Sequence, residues 1–278
     1  MINMRCFSAI LISIYLLYLY ILQLYLADQI TTISPKRVVA SPLHVDSIYV
    51  INLERRPERL KSFVDSLCRT DLNTTTVERI EAVDGNAIDF STLDIDETAI
   101  QLLYASQLTG ARQTHSELTV GAIGCYLSHF HAWELIRSRN QSFAIVCEDD
   151  AVIPANMLEK IQIAMQYVPA DWDLLLGGYM AFNENYMDLM FSTTVIPLFD
   201  TIQPTIRKLR QFFGLHFYII RARTVDKIRP TFFPIQYQLD AFLSKSNLNI
   251  YTLGSNLVRQ SDSPTDIQTT QSKTNALG

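Results

Sequence analysis

Three acids stand together at Glu148, Asp149 and Asp150, directly after the apolar run Phe143–Cys147. Adjacent carboxylates repel one another, and an apolar, β-branched run predicts a buried strand leading into them. A cation removes that conflict. Hard oxygen ligands suit Mg²⁺ or Mn²⁺, which keep several waters and share oxygens with a substrate's phosphates. The residue types therefore predict a divalent ion held by Glu148, Asp149 and Asp150 against a phosphorylated ligand. A solvated acidic turn is the plain alternative. Asp240, on the largely apolar segment 234–243, is a further acid that calls for an explanation; an acid favoured at a helix start is the plain one. Cys68, Cys125 and Cys147 read as buried free thiols, with a Cys125–Cys147 bridge as the alternative. No CxxC or Cys/His zinc spacing is present.

The elements that must position these acids alternate between strand and helix. "SIYVINL" (47–53) predicts a buried strand. A helix follows, with Pro57 in its first turn and Leu60, Phe63, Val64 and Leu67 at helical spacing. "TVERIEAVDG" (76–85) predicts a second strand ending in a turn at Asp84-Gly85, which makes a β-α-β opening. Residues 86–118 read as a polar, partly helical excursion. Residues 120–139 predict a helix with the apolar stripe Ile123, Tyr126, Leu127, Phe130 and Trp133. Further strands are expected at "FAIVC" (143–147), "WDLLLGG" (172–178) and "HFYIIR" (216–221), with helices over 155–168 and from Ala222. Residues 180–212 show weak periodicity and predict a loop on the acceptor side. The fold class is α/β: a Rossmann-type open sheet with helices on both faces. In such sheets ligands bind at the carboxyl ends of strands, where the three acids stand.

The chain has 278 residues, 48% of them hydrophobic, enough for one large α/β domain. With 23 basic and 28 acidic residues, net charge −5 and no basic stripe, nucleic acid is set aside as a partner. Phe7–Ala27 carries no charge and is long enough to cross a bilayer core. The expectation is one N-terminal transmembrane signal anchor, with a cleaved signal peptide as the alternative. The expected organisation is a cytosolic tail (1–6), an anchor (7–27), a stem (28–46), a domain (47–268) and a flexible tail (269–278). The sequons Asn73-Thr74-Thr75 and Asn140-Gln141-Ser142 agree with a luminal domain. The expected locations are the endoplasmic reticulum and the Golgi.

Several stretches together resemble glycosyltransferase family 25. They are "IYVINLERRPERL" (48–60), "AVDG" (82–85), "GAIGCYLSHFHAWE" (121–134), "AIVCEDDAVI" (144–153), "LLLGG" (174–178), "HFYIIR" (216–221), "PIQYQLDAFL" (234–243) and "SPTDIQ" (263–268). The resemblance implies a GT-A-like, metal-dependent and inverting transferase. Its donor would be UDP-galactose or UDP-glucose, and its acceptor a glycan or a hydroxylysine of a collagen-like protein. Asp150 would bind Mn²⁺ and Glu148 would face the ribose or the metal's waters. Asp240 becomes the candidate general base or acceptor ligand. Asn52 would meet a uracil edge or hold the loop. Arg55 and Arg56 would face the nucleotide or form an ordinary charged helical turn, and Arg59 is given the latter role. Asp84 would lie near the nucleotide. Gly121 and Gly124 would admit a ligand to a helix start, although Ala122 stands where the family usually carries an acid. Ser128 and His129 lie a turn further on, as ligand contacts or as core residues. Gly177 and Gly178 would let a ligand approach a strand end, and Gln268 would close over the donor. Two rivals stay open: a non-catalytic relative serving adhesion or carbohydrate binding, and a metal-dependent phosphohydrolase or nuclease.

Overall fold

The computed structural model describes residues 45–73, 75–180, 191–195, 206–209, 212–253, 257–261, 266–267 and 271–272. The expected anchor at 7–27 and Gln268 lie outside them. Among the described residues no helix is long and apolar enough to cross a membrane.

In chain order the elements are β1 (Ile48–Asn52), α1 (Pro57–Leu67), β2 (Val77–Glu81), α2 (Glu97–Thr109), β3 (Ala111–Arg112), α3 (Val120–Ser138), β4 (Ala144–Glu148), β5 (Ala151–Val152), α4 (Met157–Ala164), β6 (Leu174–Met180), β7 (Phe191–Val195), β8 (Ile206–Leu209), β9 (Phe213–Ile220), α5 (Ala222–Ile228), α6 (Leu239–Lys245), β10 (Ile250–Thr252), β11 (Arg259–Gln260) and β12 (Gln271–Ser272). The main sheet runs β2-β1-β4-β9-β6-β10-β8-β7. β1 pairs in parallel with both β2 and β4, as the β-α-β opening predicts. β9 lies antiparallel between β4 and β6, so the sheet is mixed.

All five residues of β1 are buried, because a central strand has helices over both of its faces. Its alternate side chains enter two cores. Tyr49 and Ile51 join Ala144, Val146 and Tyr218 beneath α3, whose Ile123, Tyr126, Leu127 and Trp133 form the expected stripe. Ile48 and Val50 join Ile145, Cys147 and Phe217 on the other face, against Phe63 and Leu67 of α1 and Met157 and Ile161 of α4.

One expectation about the elements is corrected. Residues 180–212 are not wholly a loop: β7 and β8 pair antiparallel at the sheet's edge. Two short strands paired at an edge need no long apolar run, so periodicity misses them. Just before β1, Val45 is buried and the Asp46 N–H donates to the Phe143 carbonyl at 3.2 Å. In the tail, Gln271 and Ser272 pair in parallel with Ala111 and Arg112. Cys68, Cys125 and Cys147 are free thiols as expected, but only Cys147 is buried; Cys68, at the end of α1, is exposed.

Candidate active site

Parallel pairing brings the carboxyl ends of β1 and β4 level, with Ile51 opposite Glu148. The acid turn follows, and the Ser261 N–H fastens it to β11 by donating to the Asp150 carbonyl at 2.8 Å. Above this edge opens a cavity of about 340 Å³, within the range of small-molecule sites. Glu148, Asp149 and Asp150 form one wall, with Arg55, just before α1, and Arg59, in its first turn, beside them. Gly121, Ala122, Cys125, Ser128 and His129 of α3 form another. Asp84, His115, Asp240, Gln260 and Asp266 also line the cavity.

The three acids, alike in sequence, have different partners. Asp149 Oδ2 accepts the Asn52 amide at 2.7 Å and its Oδ1 is 2.8 Å from Arg59 Nη2. Burial raises its carboxyl, while Asn52 and Arg59 oppose the shift. Glu148 Oε1 meets His129 Nε2 at 3.5 Å and the Cys125 thiol at 3.8 Å. Burial alone would raise Glu148. The His129 hydrogen bond, with electrostatic contributions from His129, His216 and Arg59, outweighs burial and holds it below the usual range. Asp150 Oδ2 takes Arg59 Nη2 at 2.6 Å. Its Oδ1 is buried and has no hydrogen-bond partner among the described residues. Burial, reinforced by the Glu148 charge and opposed by Arg59, pushes Asp150 up to about 7. Glu148 and Asp150 are thus driven apart, a division typical of sites where one acid stays ionised and its neighbour holds a proton.

Arg59, expected to be an ordinary helical charge, is the centre of this wall. It bridges Asp149, Asp150 and, at 3.5 Å, Asp266. Arg55 joins the same clasp, donating to Asp84 and to Asp266 at 2.8 Å each, and Arg56 reaches Asp266 at 3.2 Å. The Arg55 bond and two Asn86 contacts hold Asp84 below the usual carboxylate range against burial. Arg55 and Arg56 do the same for Asp266. Only Arg55 and Arg59 of the three arginines line the cavity.

Asn52 does not reach the cavity. It is buried, donates to the Arg56 carbonyl at 2.9 Å as well as to Asp149, and accepts Arg79 Nε at 3.0 Å. Of its two expected roles it performs the structural one, holding the loop and the middle acid. Ser128 accepts the Val83 N–H at 2.8 Å and so ties α3 to the Asp84 turn. His129 is fully buried; its Nδ1 lies 2.8 Å from the Tyr218 hydroxyl, which accepts the Trp133 indole N–H at 2.6 Å.

The glycines admit the chain itself. A Cβ on Gly124 would collide with the Val83 carbonyl, and one on Gly121 with that of Asp266. Thr119 caps α3 by accepting the Ala122 N–H at 3.0 Å and donates to the Ile267 carbonyl at 2.5 Å, so the tail crosses the helix start. Gly177 and Gly178 do not line the cavity: the Phe217 and His216 rings occupy the space beside them.

Asp240 lies in the first turn of α6 and lines the cavity. Its Oδ2 accepts the Gly214 N–H at 2.9 Å and its Oδ1 the Ala241 N–H at 2.7 Å. Burial raises its carboxyl despite these bonds and the nearby His115. Sequence reasoning missed Arg59, Asp266, Cys125, His115 and Gln260. The motif "SPTDIQ" held Asp266, but nothing local marks it as the partner of arginines some 210 residues earlier.

The chain is similar to the bovine (Bos taurus) "Probable inactive glycosyltransferase 25 family member 3", at 32% identity over 149 residues, 52% of this chain and 23% of that protein. It is equally similar to human (Homo sapiens) "Procollagen galactosyltransferase 2", at 32% identity over 138 residues, 48% of this chain and 20% of that protein. The chain thus spans about a fifth to a quarter of the length of these curated relatives. Among solved structures, the crystal structure of A197 from STIV aligns with a TM-score of 0.42 at 14% identity, over 79% of this chain and 87% of that one, too distant to bear on function. The family model described as "Glycosyltransferase family 25 (LPS biosynthesis protein)" matches residues 45–243, which include β1, the acid turn and Asp240, and the chain belongs to that family.

Proposed function

We propose that the protein is a metal-dependent, inverting hexosyltransferase of GT-A-like architecture. It moves galactose or glucose from a UDP-sugar to a glycan hydroxyl or to a hydroxylysine of a collagen-like protein. The observation that carries this reading is the buried, unpartnered Oδ1 of Asp150, two residues from Glu148 on the wall of the cavity. An orphaned carboxylate oxygen beside a second acid fits a hard divalent cation. Asp150 and Glu148 would hold Mn²⁺ or Mg²⁺, while Asp149 is already committed to Asn52 and Arg59. When bound, such an ion acts as a Lewis acid toward the leaving diphosphate. Arg55 and Arg59 supply positive charge on the same wall. Asp240, raised by burial, is suited to take the acceptor hydroxyl's proton. The uncharged run Phe7–Ala27 supports an anchor that places the domain in the lumen of the endoplasmic reticulum or Golgi, and the exposed Asn73 and Asn140 agree.

A second reading, a non-catalytic family member serving adhesion or carbohydrate binding, is favoured by Arg59, which already neutralises Asp149 and Asp150 without a metal. UDP release by the full chain separates the two. It is measured over a panel of UDP-sugars with glycan and hydroxylysine-peptide acceptors, in Mn²⁺ or chelator, beside Asp150→Asn. Donor-selective release that needs both metal and Asp150 supports the transferase. No release from any donor by folded protein refutes it in favour of the second reading.

A further inference from the structure

The wall of α3 holds two metal-binding donors that the transferase reading does not use, Cys125 and His129, beside Glu148, which it does. Cys125 and His129, one helical turn apart, present Sγ and Nε2 to Glu148 Oε1 at the end of β4, at 3.8 and 3.5 Å. The three donor atoms all lie within 4.8 Å of one another. In a tetrahedral zinc shell, with Zn–S about 2.3 Å and Zn–N and Zn–O about 2.0–2.1 Å, ligand atoms stand about 3.3–3.6 Å apart. The two separations to Glu148 need only a few tenths of an ångström of adjustment, and a rotation of the Cys125 or His129 side chain, up to about 1 Å at the donor atom, closes the third. We propose that Cys125, His129 and Glu148 form a zinc site in the wall of the cavity, and that zinc there withdraws Glu148 from the donor site and blocks turnover.

The chemistry selects zinc over Mg²⁺ or Mn²⁺, because a thiolate is a soft ligand and those ions prefer oxygen. One thiolate and one carboxylate balance the charge of the ion, and the neutral imidazole adds none. His129 Nδ1 is already turned to the Tyr218 hydroxyl, the outer contact that orients a metal-binding imidazole. All three residues line the cavity, so an entry path and an open fourth position face the space where the donor would sit. Sequence spacing hides the site because its third ligand arrives from a strand rather than from the helix. The inhibitory consequence rests on the transferase reading; the metal site does not.

The test is titration of the purified full chain with Co²⁺, a spectroscopic stand-in for zinc. The expected result is one equivalent bound, with a thiolate-to-cobalt charge-transfer band and the intense visible bands of four-coordinate cobalt, all removed by Zn²⁺. Cys125→Ser loses the charge-transfer band, and Cys68→Ser, at an exposed position, keeps it. In UDP release, zinc inhibition relative to each protein's own rate weakens at least about tenfold in Cys125→Ser. No thiolate band in the unaltered protein, a result that depends on no variant, or a band that survives Cys125→Ser, overturns the site. Mn²⁺-dependent release without a band removes the zinc site and leaves the transferase standing. A band without release from any donor supports the site and overturns its inhibitory role.

Discussion

Arg59→Met removes one charge and keeps an apolar stem. In the structure that charge lies 2.8 Å from Asp149 and 2.6 Å from Asp150, and its side chain is only 14% exposed. Breaking a buried ion pair costs about 3–5 kcal/mol, because the abandoned partner stays buried and charged. Here the penalty depends on pH. Asp150 already sits at about 7 with Arg59 present, through burial and the Glu148 charge. Without Arg59 it moves higher and takes a proton in neutral solution. A carboxyl raised on folding adds stability that is complete below its unfolded value and is lost as pH rises through the folded value. The cost of Arg59→Met should therefore grow by up to about 1.4 kcal/mol per pH unit above neutrality. We expect about 3 kcal/mol at pH 8, a fall in Tm of roughly 6–12 °C, and clearly less at pH 6. The freed carboxylates should also make the variant more responsive to a divalent ion, since a ligand that binds only the folded state stabilises it by mass action. Thermal melts at pH 6 and pH 8, with Mn²⁺ or with chelator, read all three effects. A loss under about 1 kcal/mol at pH 8, independent of pH, with no added response to Mn²⁺, would refute the electrostatic account of the wall.

Gly124→Ala drives a methyl group into the Val83 carbonyl and should cost about 1–3 kcal/mol in denaturant unfolding; a change within about 0.5 kcal/mol would mean that the turn moves freely. Asp266→Asn unfastens the tail from Arg55, Arg56 and Arg59, costs about 1 kcal/mol and speeds proteolytic cleavage after Ser261. Because Asp266 is held below its ordinary value, its contribution is present above the usual carboxylate range and disappears as pH falls through the lowered value. The variant and the unaltered protein should therefore converge in Tm in acid, and a constant gap contradicts the assignment. Asp240→Asn keeps an acceptor for only one of the Gly214 and Ala241 N–H groups, so it should cost about 1 kcal/mol of stability while lowering acceptor-dependent UDP release at least about 100-fold. Activity within tenfold of the unaltered protein would exclude Asp240 as the base.

What was legible in the sequence was whatever one element displays alone. β1 and β4 are short runs of apolar and β-branched residues between turn signals, and α3 carries its stripe over 19 residues. Each announces its period without help from the rest of the chain. β7 and β8 do not, because an edge pair gains its hydrogen bonds from partners rather than from composition. The glycines of α3 were legible as points of close approach, but not what approaches. Steric need is written at Gly124, while the Val83 carbonyl that creates it lies some 40 residues away.

The acid turn shows the same limit at the level of chemistry. Three consecutive carboxylates look interchangeable, and spacing alone assigns all three to one ion. The fold divides them by what each strand end faces. Asp149 meets Asn52, 97 residues distant, Glu148 meets His129 and Cys125 of α3, and Asp150 keeps one oxygen for the cavity. Nothing in the triplet encodes that division. It follows from the parallel register of β1 with β4 and from the helix laid across them. Arg59 was the harder case, since an arginine in a first helical turn is ordinary wherever nothing anionic faces it. Its role is a property of the wall opposite, which only the assembled sheet supplies.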